Sequence, residues 1–456
     1  MKEITSESIT ITAKKNNIGM LAVIMSLFLA AVDSTIVSTV LPTISHQLGH
    51  PDLWPWVMSA FLLPVALVAP LAGAFGDRFG VSATLKVFLL IFLGSSVLAG
   101  ISKTMPMLIL ARALQGIGAG GIIVLSYSLL AALFDTERRG KMQGMLSGVW
   151  GLSAIIGPLL GSVLGASFGW RAIFWINIPI GLIALLLLLI TPKVNNGMGK
   201  ARFDMFAQGG LIVSACCLLL LSAMPKSGYG LISMLIMGLI LGLLSLIIRV
   251  RYYPEASPIP LAFFQKPTLF PIIVLVLLSS AGLYASVTLL PLALSQHPTN
   301  VPTGLLVMLA ALGWVVGAAI CGTKLTVLGY RRLAAGGMIQ LATGSLLMAV
   351  AITNQMSWLM AVSLLLIGLG MGFTATATLV LAQNAAPPER LGTWTATIQF
   401  LRNMGAALGV NILATIQLHL SYLHAFPTCF VILGASMLVG LMFTILLPRN
   451  YSVKSS

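Results

Sequence analysis

The stretch that decides the fold is residues 21–42, LAVIMSLFLAAVDSTIVSTVLP. It is apolar over the length of about 20 residues that a helix needs to cross the hydrocarbon core of a bilayer. One acidic residue, Asp33, interrupts it. Because a carboxylate at membrane depth costs about 2.5–3.5 kcal/mol on insertion scales, Asp33 is a candidate functional residue by default.

The other nine acidic residues are predicted to lie outside the membrane. Asp52 falls in an outer loop, and the rest fall near cytoplasmic helix ends or loops: Glu3, Glu7, Asp77, Asp135, Glu137, Asp204, Glu255 and Glu389. Asp33 is therefore the one predicted intramembrane carboxylate.

Composition assigns the whole chain to the membrane class. Hydrophobic residues make up 58% of the 456 residues and charged residues only 8%, whereas soluble domains carry about 25% charged residues. The four Cys lie in apolar segments without metal-ligand spacing, so we predict neither a disulfide nor a metal site. The first apolar segment is too long for a signal-peptide core, so we expect it to remain as a helix.

Fourteen apolar segments are long enough to span a bilayer, which predicts an all-α polytopic membrane protein. They lie near 18–40, 54–76, 84–102, 105–132, 141–166, 170–191, 203–223, 228–249, 267–293, 302–325, 331–351, 357–380, 393–418 and 425–447. An even number places both termini on the same side of the membrane.

The distribution of Lys and Arg residues indicates on which side of the membrane the termini lie. Of the 25 Lys and Arg residues, Lys103, Arg171 and Lys226 fall on the outer side, Arg112 and Arg402 fall within spans, and the remaining 20 fall on the cytoplasmic side if both termini are cytoplasmic. This asymmetry is a strong positive-inside signal. The net charge of +15 then faces anionic lipid headgroups, so we expect no nucleic-acid partner.

The chain also repeats itself. Residues 73–80, GAFGDRFG, and 322–329, GTKLTVLG, are Gly-x₆-Gly hairpins 249 residues apart, and the glycine run at 116–120 recurs at 368–372. These spacings predict two six-helix bundles, 18–191 and 267–447, separated by a two-helix insert at 203–249. Internal repeats of this kind are typical of secondary transporters with a site between the halves.

Several motifs resemble those of the major facilitator superfamily, and within it the fourteen-helix drug:proton antiporters. Residues 73–85 are similar to the loop 2–3 signature G-x-L-[GA]-D-[RK]-x-G-[RK]-[RK], although Val81 and Ser82 replace the basic pair. Residues 108–120, LILARALQGIGAG, look like the fourth-helix motif, and residues 29–42 look like the first-helix signature of the fourteen-helix branch. The resemblance covers nearly the whole chain and implies the two-bundle major facilitator fold.

The resemblance implies roles for two groups of residues. In the hairpin, it implies a conformational latch of Gly73, Asp77, Arg78, Gly80 and Arg139, in which Asp77 accepts hydrogen bonds at a neighbouring helix end or pairs with Arg139 or Lys141. A purely structural or topogenic role is the alternative. In span 5, Gly151, Gly157, Pro158 and Gly161 resemble the antiporter motif, whose small residues allow close helix packing; plain packing is the alternative.

Arg112 is the expected partner of Asp33. Both lie about 9–12 Å below the outer interface at 1.5 Å of rise per residue, and the implied fold brings spans 1 and 4 together. Burial disfavours a charged carboxylate and a nearby arginine favours it. A pair made and broken during transport would load and release a proton, whereas a permanent structural ion pair is the alternative.

Further polar, aromatic and Met residues within spans are expected to face the bundle interior or line a substrate cavity. We assign to that cavity Asp33, Met25, Phe28, Gln115, Trp150, Phe174, Asn177, Tyr284, Trp314, Gln399 and Arg402. For each aromatic or Met residue in this set, packing in the protein core is the alternative to lining the cavity. Arg402 has no acidic partner in the spans of the second half, so it bonds to carbonyls or Asn, or meets an anionic substrate group.

Two sequence strings match enzyme motifs, but neither lies in the structural context that its motif requires. The G-x-G-x-x-G string at 116–121 lies inside a membrane helix without a preceding strand, and the G-x-S-x-G string at 165–169 lies in an outer loop. No Walker A string is present in the sequence. We therefore expect neither an enzyme nor a cofactor.

The sequence thus predicts proton-coupled efflux of small lipophilic drugs, cationic or neutral, across the inner or plasma membrane, with antibiotic resistance as the outcome. The expected partners are protons, drug-like molecules and the lipid bilayer, and we expect a monomer. A facilitator or flippase for an endogenous metabolite or lipid is one alternative. A non-transporting membrane receptor or scaffold is the other.

Overall fold

The computed structural model describes residues 6–48, 53–191, 202–223, 228–296, 303–420 and 422–449. Within these ranges the chain is helical and contains no strand. The α-helices are α1 Ser6–Leu48, α2 Trp54–Phe79, α3 Val81–Gly100, α4 Met105–Leu133, α5 Thr136–Phe168, α6 Ala172–Trp175, α7 Asn177–Ile190, α8 Met205–Ala223, α9 Tyr229–Tyr252, α10 Ala262–Gln265, α11 Phe270–Gln296, α12 Thr303–Thr353, α13 Ser357–Ala385, α14 Leu391–His419 and α15 Tyr422–Phe443.

Twelve segments of the described chain are long and apolar enough to cross a membrane. One of them, Gly304–Thr353, belongs to α12 and is 50 residues long, which is about 75 Å at the rise of an α-helix and more than one crossing needs. The 29-residue helix α14 is not among the twelve. The chain is therefore a multi-pass membrane protein.

Residue contacts divide the chain into two compact units. The first takes Met1–Arg139, Leu152–Ala201 and Pro387–Ala396, and the second takes Gly140–Gly151, Arg202–Ala386 and Thr397–Ser456. The bundle limits predicted from the sequence stay a prediction.

In the first unit, the glycine run of α4 lets three helices approach closely. A side chain at Gly116 would collide with the carbonyl oxygen of Phe61 in α2, and one at Gly120 would meet that of Val65. On the other side of α4, Gly118 faces Phe92 of α3. Small residues at helix interfaces are the usual basis of close packing in membranes, and 83% of the apolar window of α4 is buried.

In the second unit, α13 is packed in the same way. Gly368 and Gly372 face backbone oxygens of Ala310 and Trp314 in the first part of α12, and Gly370 faces that of Gly337 in its second part. The sequence repeat of the two glycine runs therefore corresponds to a repeat of the packing within each unit.

The two Gly-x₆-Gly hairpins also end on the same backbone conformation. Gly80 separates α2 from α3 with φ of 92°, and Gly329 bends α12 with φ of 76°. Positive φ is strained for residues with a Cβ. The terminal glycine of each hairpin is thus required by the turn that reverses the chain.

Candidate functional site

Asp33 and Arg112 form a buried ion pair. Arg112 Nη1 on α4 donates to Asp33 Oδ2 on α1, and both side chains are 0% exposed. Charged side chains are almost never fully buried unless they are paired, and the pair lies inside two apolar helices. The structure therefore brings together the two charged residues that the sequence placed at matching depth.

Two amide side chains complete the shell of the Asp33 carboxylate. Gln115 Nε2 and Asn177 Nδ2 both donate to Asp33 Oδ1, at 3.0 and 3.2 Å. Gln115 also accepts from Arg112 Nη1 at 2.8 Å. Because a carboxylate is acceptor-only when ionised, three donors around Asp33 complement its charged form.

Ser96 of α3 joins this network and was missed by the sequence analysis. Its hydroxyl oxygen accepts from Gln115 Nε2 at 2.9 Å and from Asn177 Nδ2 at 3.3 Å. The site thus connects α1, α3, α4 and α7. Ser96 also donates to the Phe92 carbonyl of its own helix at 2.8 Å, as serines in membrane helices commonly do. A serine at this position therefore did not indicate a functional site in the sequence.

Arg112 is held from two further directions. Its Nε donates to the backbone carbonyl of Val57 at 3.3 Å, and its guanidinium carbon lies 4.1 Å from the ring centroid of Phe61. Cation–π contacts of this kind are stronger when desolvated. Nη2 of Arg112 is buried without a partner in the described part of the chain.

The antiporter-like part of α5 packs on α1 close to Asp33. A side chain at Gly157 would collide with Thr35, and one at Gly161 with Thr39. Thr35 Oγ1 lies 3.3 Å from the carbonyl oxygen of Ser153. Pro158 lies inside α5, and Gly151, in the other unit, faces Val315 of α12.

Asp77 caps the N-terminal end of α14. Its carboxylate accepts from the backbone N–H of Gly392 at 2.6 Å, and from the backbone N–H and hydroxyl of Thr393 at 2.7 and 2.6 Å. The positive end of a helix dipole favours a carboxylate there. Arg139 Nε donates to the carbonyl of Phe134, and Arg78 is exposed beside the Phe79 ring.

The remaining predicted cavity residues are dispersed over both units. In the first, Met25 and Phe28 are half-buried on α1, and Phe174 is fully buried edge-on to Trp170 in an apolar cluster. In the second, Trp150 and Trp314 stack with centroids 6.4 Å apart. Gln399 and Arg402 are bonded to each other on α14, and Tyr284 is half-buried on α11.

Asp204 forms an ion pair just before the start of α8. It accepts from Arg249 Nε at 2.7 Å and from the backbone amides of Phe206 and Ala207. Burial raises the pKa of Asp204, but the Arg249 hydrogen bond and charge, together with the two amides, outweigh it and hold the pKa below its usual value.

This lowered pKa predicts a pH-dependent contribution to stability. The contribution of Asp204 is present above its unfolded pKa of about 3.9 and is lost as the pH falls through the lower folded pKa. We therefore expect Asp204→Asn to lower the melting temperature of the detergent-solubilised protein at neutral pH and to lose this deficit below about pH 4. A deficit that stays constant down to pH 3 would contradict the assignment.

The chain matches a protein-family model. The model is that of the Major Facilitator Superfamily, and it matches residues 23–410. Among curated relatives, Multidrug resistance protein 3 of Bacillus subtilis is 29% identical over 415 residues, covering 90% of this chain and 81% of the relative. Multidrug transporter protein MdtP of the same species is 28% identical over 410 residues, covering 88% and 75%.

A fungal relative and two solved structures extend the comparison. Efflux pump FUS6 of Gibberella fujikuroi is 30% identical over 419 residues, covering 87% of this chain and 74% of the relative. The human organic anion transporter MFSD10 has a TM-score of 0.70 at 16% identity, covering 94% of this chain and 99% of that one. The proton:xylose symporter XylE has a TM-score of 0.70 at 16% identity, covering 95% of each chain. The chain therefore belongs to the Major Facilitator Superfamily and is a multi-pass membrane transporter rather than an enzyme.

Proposed function

We propose that this protein is a proton-coupled exporter of small lipophilic drugs, cationic or neutral, working by alternating access. The observation that carries the proposal is the ion pair of Asp33 and Arg112, buried inside two apolar helices. An ionisable residue within a membrane span is expensive and commonly marks an ion or proton pathway. The relatives named as multidrug transporters and efflux pumps support the direction and the substrate class.

The mechanism follows from what each protonation state of Asp33 can bind. As a carboxylate, Asp33 accepts from Arg112, Gln115 and Asn177. Protonation removes the negative charge and weakens the attraction to Arg112, which keeps the Val57 carbonyl and the Phe61 ring as partners. Loading a proton therefore loosens the contact between α1 and α4, and releasing it restores that contact.

A single carboxylate also limits the stoichiometry. A lipophilic cation and a proton compete for the same negative charge on Asp33, because the other acidic residue in a candidate span, Asp77, lies at the end of α2 and is hydrogen-bonded to the start of α14. We infer exchange of about one proton per cycle, which favours monovalent cations and neutral compounds over dications.

Fourteen crossings with both termini in the cytoplasm remain our proposal for the topology. Counting α12 as two crossings on either side of Gly329, and adding α14 with its 29 residues, raises the twelve candidate segments to fourteen. α14 is less apolar than the twelve, because it carries Arg402 and several amide and hydroxyl side chains. This count supports our proposal that the chain belongs to the fourteen-helix drug:proton antiporter branch. We also propose that it is a monomer in the inner or plasma membrane.

The Asp77 contact supports a latch in this cycle. Its three hydrogen bonds join the end of α2 to the start of α14. Hydrogen bonds at a helix end can be made in one arrangement and broken in another, which is what a conformational switch requires. We propose that the latch is made in one access state and broken in the other.

The test is substrate-evoked proton movement in proteoliposomes containing the full-length protein. We expect tetraphenylphosphonium, added on one side, to drive protons in the opposite direction, and a protonophore to abolish its accumulation. Flux of the probe without proton movement would indicate a facilitator. Absence of flux for lipophilic cations and neutral dyes alike would indicate a receptor or scaffold.

A further inference from the structure

Arg402 is a buried arginine with an unused hydrogen-bond donor. It is 7% exposed on α14, and its Nη1 donates to Gln399 Oε1 at 3.2 Å. Within the described part of the chain, Arg402 Nε and Gln399 Nε2 are buried without any partner. Such orphaned polar groups are costly in a protein interior and call for an explanation.

No carboxylate of the second unit is available to Arg402. The two acidic residues of that unit, Asp204 and Glu255, are paired with Arg249 and Arg202, respectively. Glu389, the only acidic residue in 256–456, belongs to the first unit and lies thirteen positions before Arg402, outside α14. Arg112 has Asp33 as its counter-charge, whereas Arg402 has none from its own unit.

The position of Arg402 on α14 is enclosed. Gly405 and Gly409, one and two turns further along the same face, pack against Leu277 and Ala281 of α11. Arg402 therefore lies on the face of α14 that packs against α11.

The unpartnered atoms specify the ligand, because they are all donors. Arginine and the amide N–H₂ of glutamine can donate but cannot accept at these atoms. A carboxylate only accepts, and its two oxygens match the planar fork of arginine in a bidentate contact. An anionic oxygen group supplied by a ligand is therefore the complement of this cluster in charge and in hydrogen bonding.

We propose that Arg402 and Gln399 form a subsite for the carboxylate of a transported compound. This rests on the proposed export function and refines its substrate class. Compounds with a carboxylate and an amine have no net charge, so zwitterions would be a major part of the neutral substrates. The carboxylate of the substrate then supplies the counter-charge that the second unit lacks.

A matched pair of probes isolates the carboxylate. Ciprofloxacin and its methyl ester share one scaffold and differ in that group, and their binding to the purified full-length protein is measured by equilibrium dialysis. We expect the wild type to prefer the acid over the ester about tenfold or more, as a charge-assisted bond predicts. Arg402→Gln should reduce this ratio to about one, and Arg402→Lys should keep part of it.

Gln399→Glu tests the role of the missing counter-charge more directly. It places a carboxylate one turn from Arg402 on the same helix, so the protein would supply its own counter-charge and the acid would lose its advantage over the ester. This variant also keeps the proposal testable if Arg402→Gln fails to give a monodisperse protein. Arg251→Gln, which removes an exposed charge at the end of α9, is the matched control and should keep the wild-type ratio.

The outcomes separate this inference from the export function. A wild type that binds neither probe, or both equally, would overturn the subsite, and so would an unchanged ratio in Arg402→Gln or Gln399→Glu. If the wild type shows no proton-coupled efflux but keeps the Arg402-dependent preference for the acid, the export function is wrong and the subsite stands. If the wild type exports tetraphenylphosphonium but does not prefer the acid, the subsite is wrong and the export function stands.

Discussion

Asp33→Asn is expected to abolish proton-coupled efflux, with a loss of at least about tenfold in the initial rate. The substitution keeps the size of the side chain but removes the group that titrates. It also turns an N–H₂ group toward Arg112, Gln115 and Asn177, which all donate to the native carboxylate. The measurement is efflux of tetraphenylphosphonium driven by a pH gradient in everted membrane vesicles.

Glu255→Gln is the matched control for this experiment. Glu255 is 72% exposed in an ion pair with Arg202, and exposed pairs contribute about 0–1 kcal/mol. We expect the control to transport as the wild type does. If Asp33→Asn still concentrates the probe against its gradient and still moves protons, Asp33 is not the coupling residue.

Arg112→Met is expected to have the second largest effect, on the stability of the folded protein. Removing one partner of a buried ion pair leaves an uncompensated charge, which costs about 3–5 kcal/mol. Met fills a similar volume and keeps the contact with Phe61, so the loss isolates the charge rather than the packing. The measurement is thermal unfolding of the detergent-solubilised protein, followed by size-exclusion chromatography.

The double variant Asp33→Asn with Arg112→Met separates charge from packing. It removes both charges, and we expect it to recover most of the stability lost in Arg112→Met while remaining inactive in coupled transport. Arg171→Met is the control, because Arg171 is partly exposed and donates to the carbonyl of Ser102. A double variant less stable than Arg112→Met would contradict a direct charge pairing.

The membrane-spanning helices and their close packing could largely be predicted, because both depend on the residue types within short stretches of sequence. A helix that contacts lipid must be apolar along about 20 residues, and the glycines at 116–120 and 368–372 are readable because close helix packing demands small residues. Asp33 and Arg112 were singled out by depth and charge, since an intramembrane charge is rare enough to need a reason. That their helices meet was implied by the family resemblance.

Residues of ordinary type at ordinary positions could not be assigned in this way. Ser96 resembles any serine in a membrane helix, yet it accepts from both amides that hold Asp33. Thr393 follows an unremarkable loop, yet its hydroxyl and amide both bind Asp77, 316 residues away in the sequence. Contacts over such separations depend on how each helix is rotated about its axis, which hydropathy does not report.

The sequence by itself determined that the chain is a membrane protein, that it repeats internally, and that a carboxylate interrupts its first apolar segment. Hydrophobic length, glycine spacing and the cost of a buried charge are properties of short stretches, so each can be recognised without coordinates. Only the tertiary structure decided that Asp33 accepts hydrogen bonds from side chains on two other helices, and that Arg402 Nε is buried without a partner in the described part of the chain. Whether a buried charge is compensated depends on which side chains packing brings within about 4 Å, and distant parts of the chain supply them.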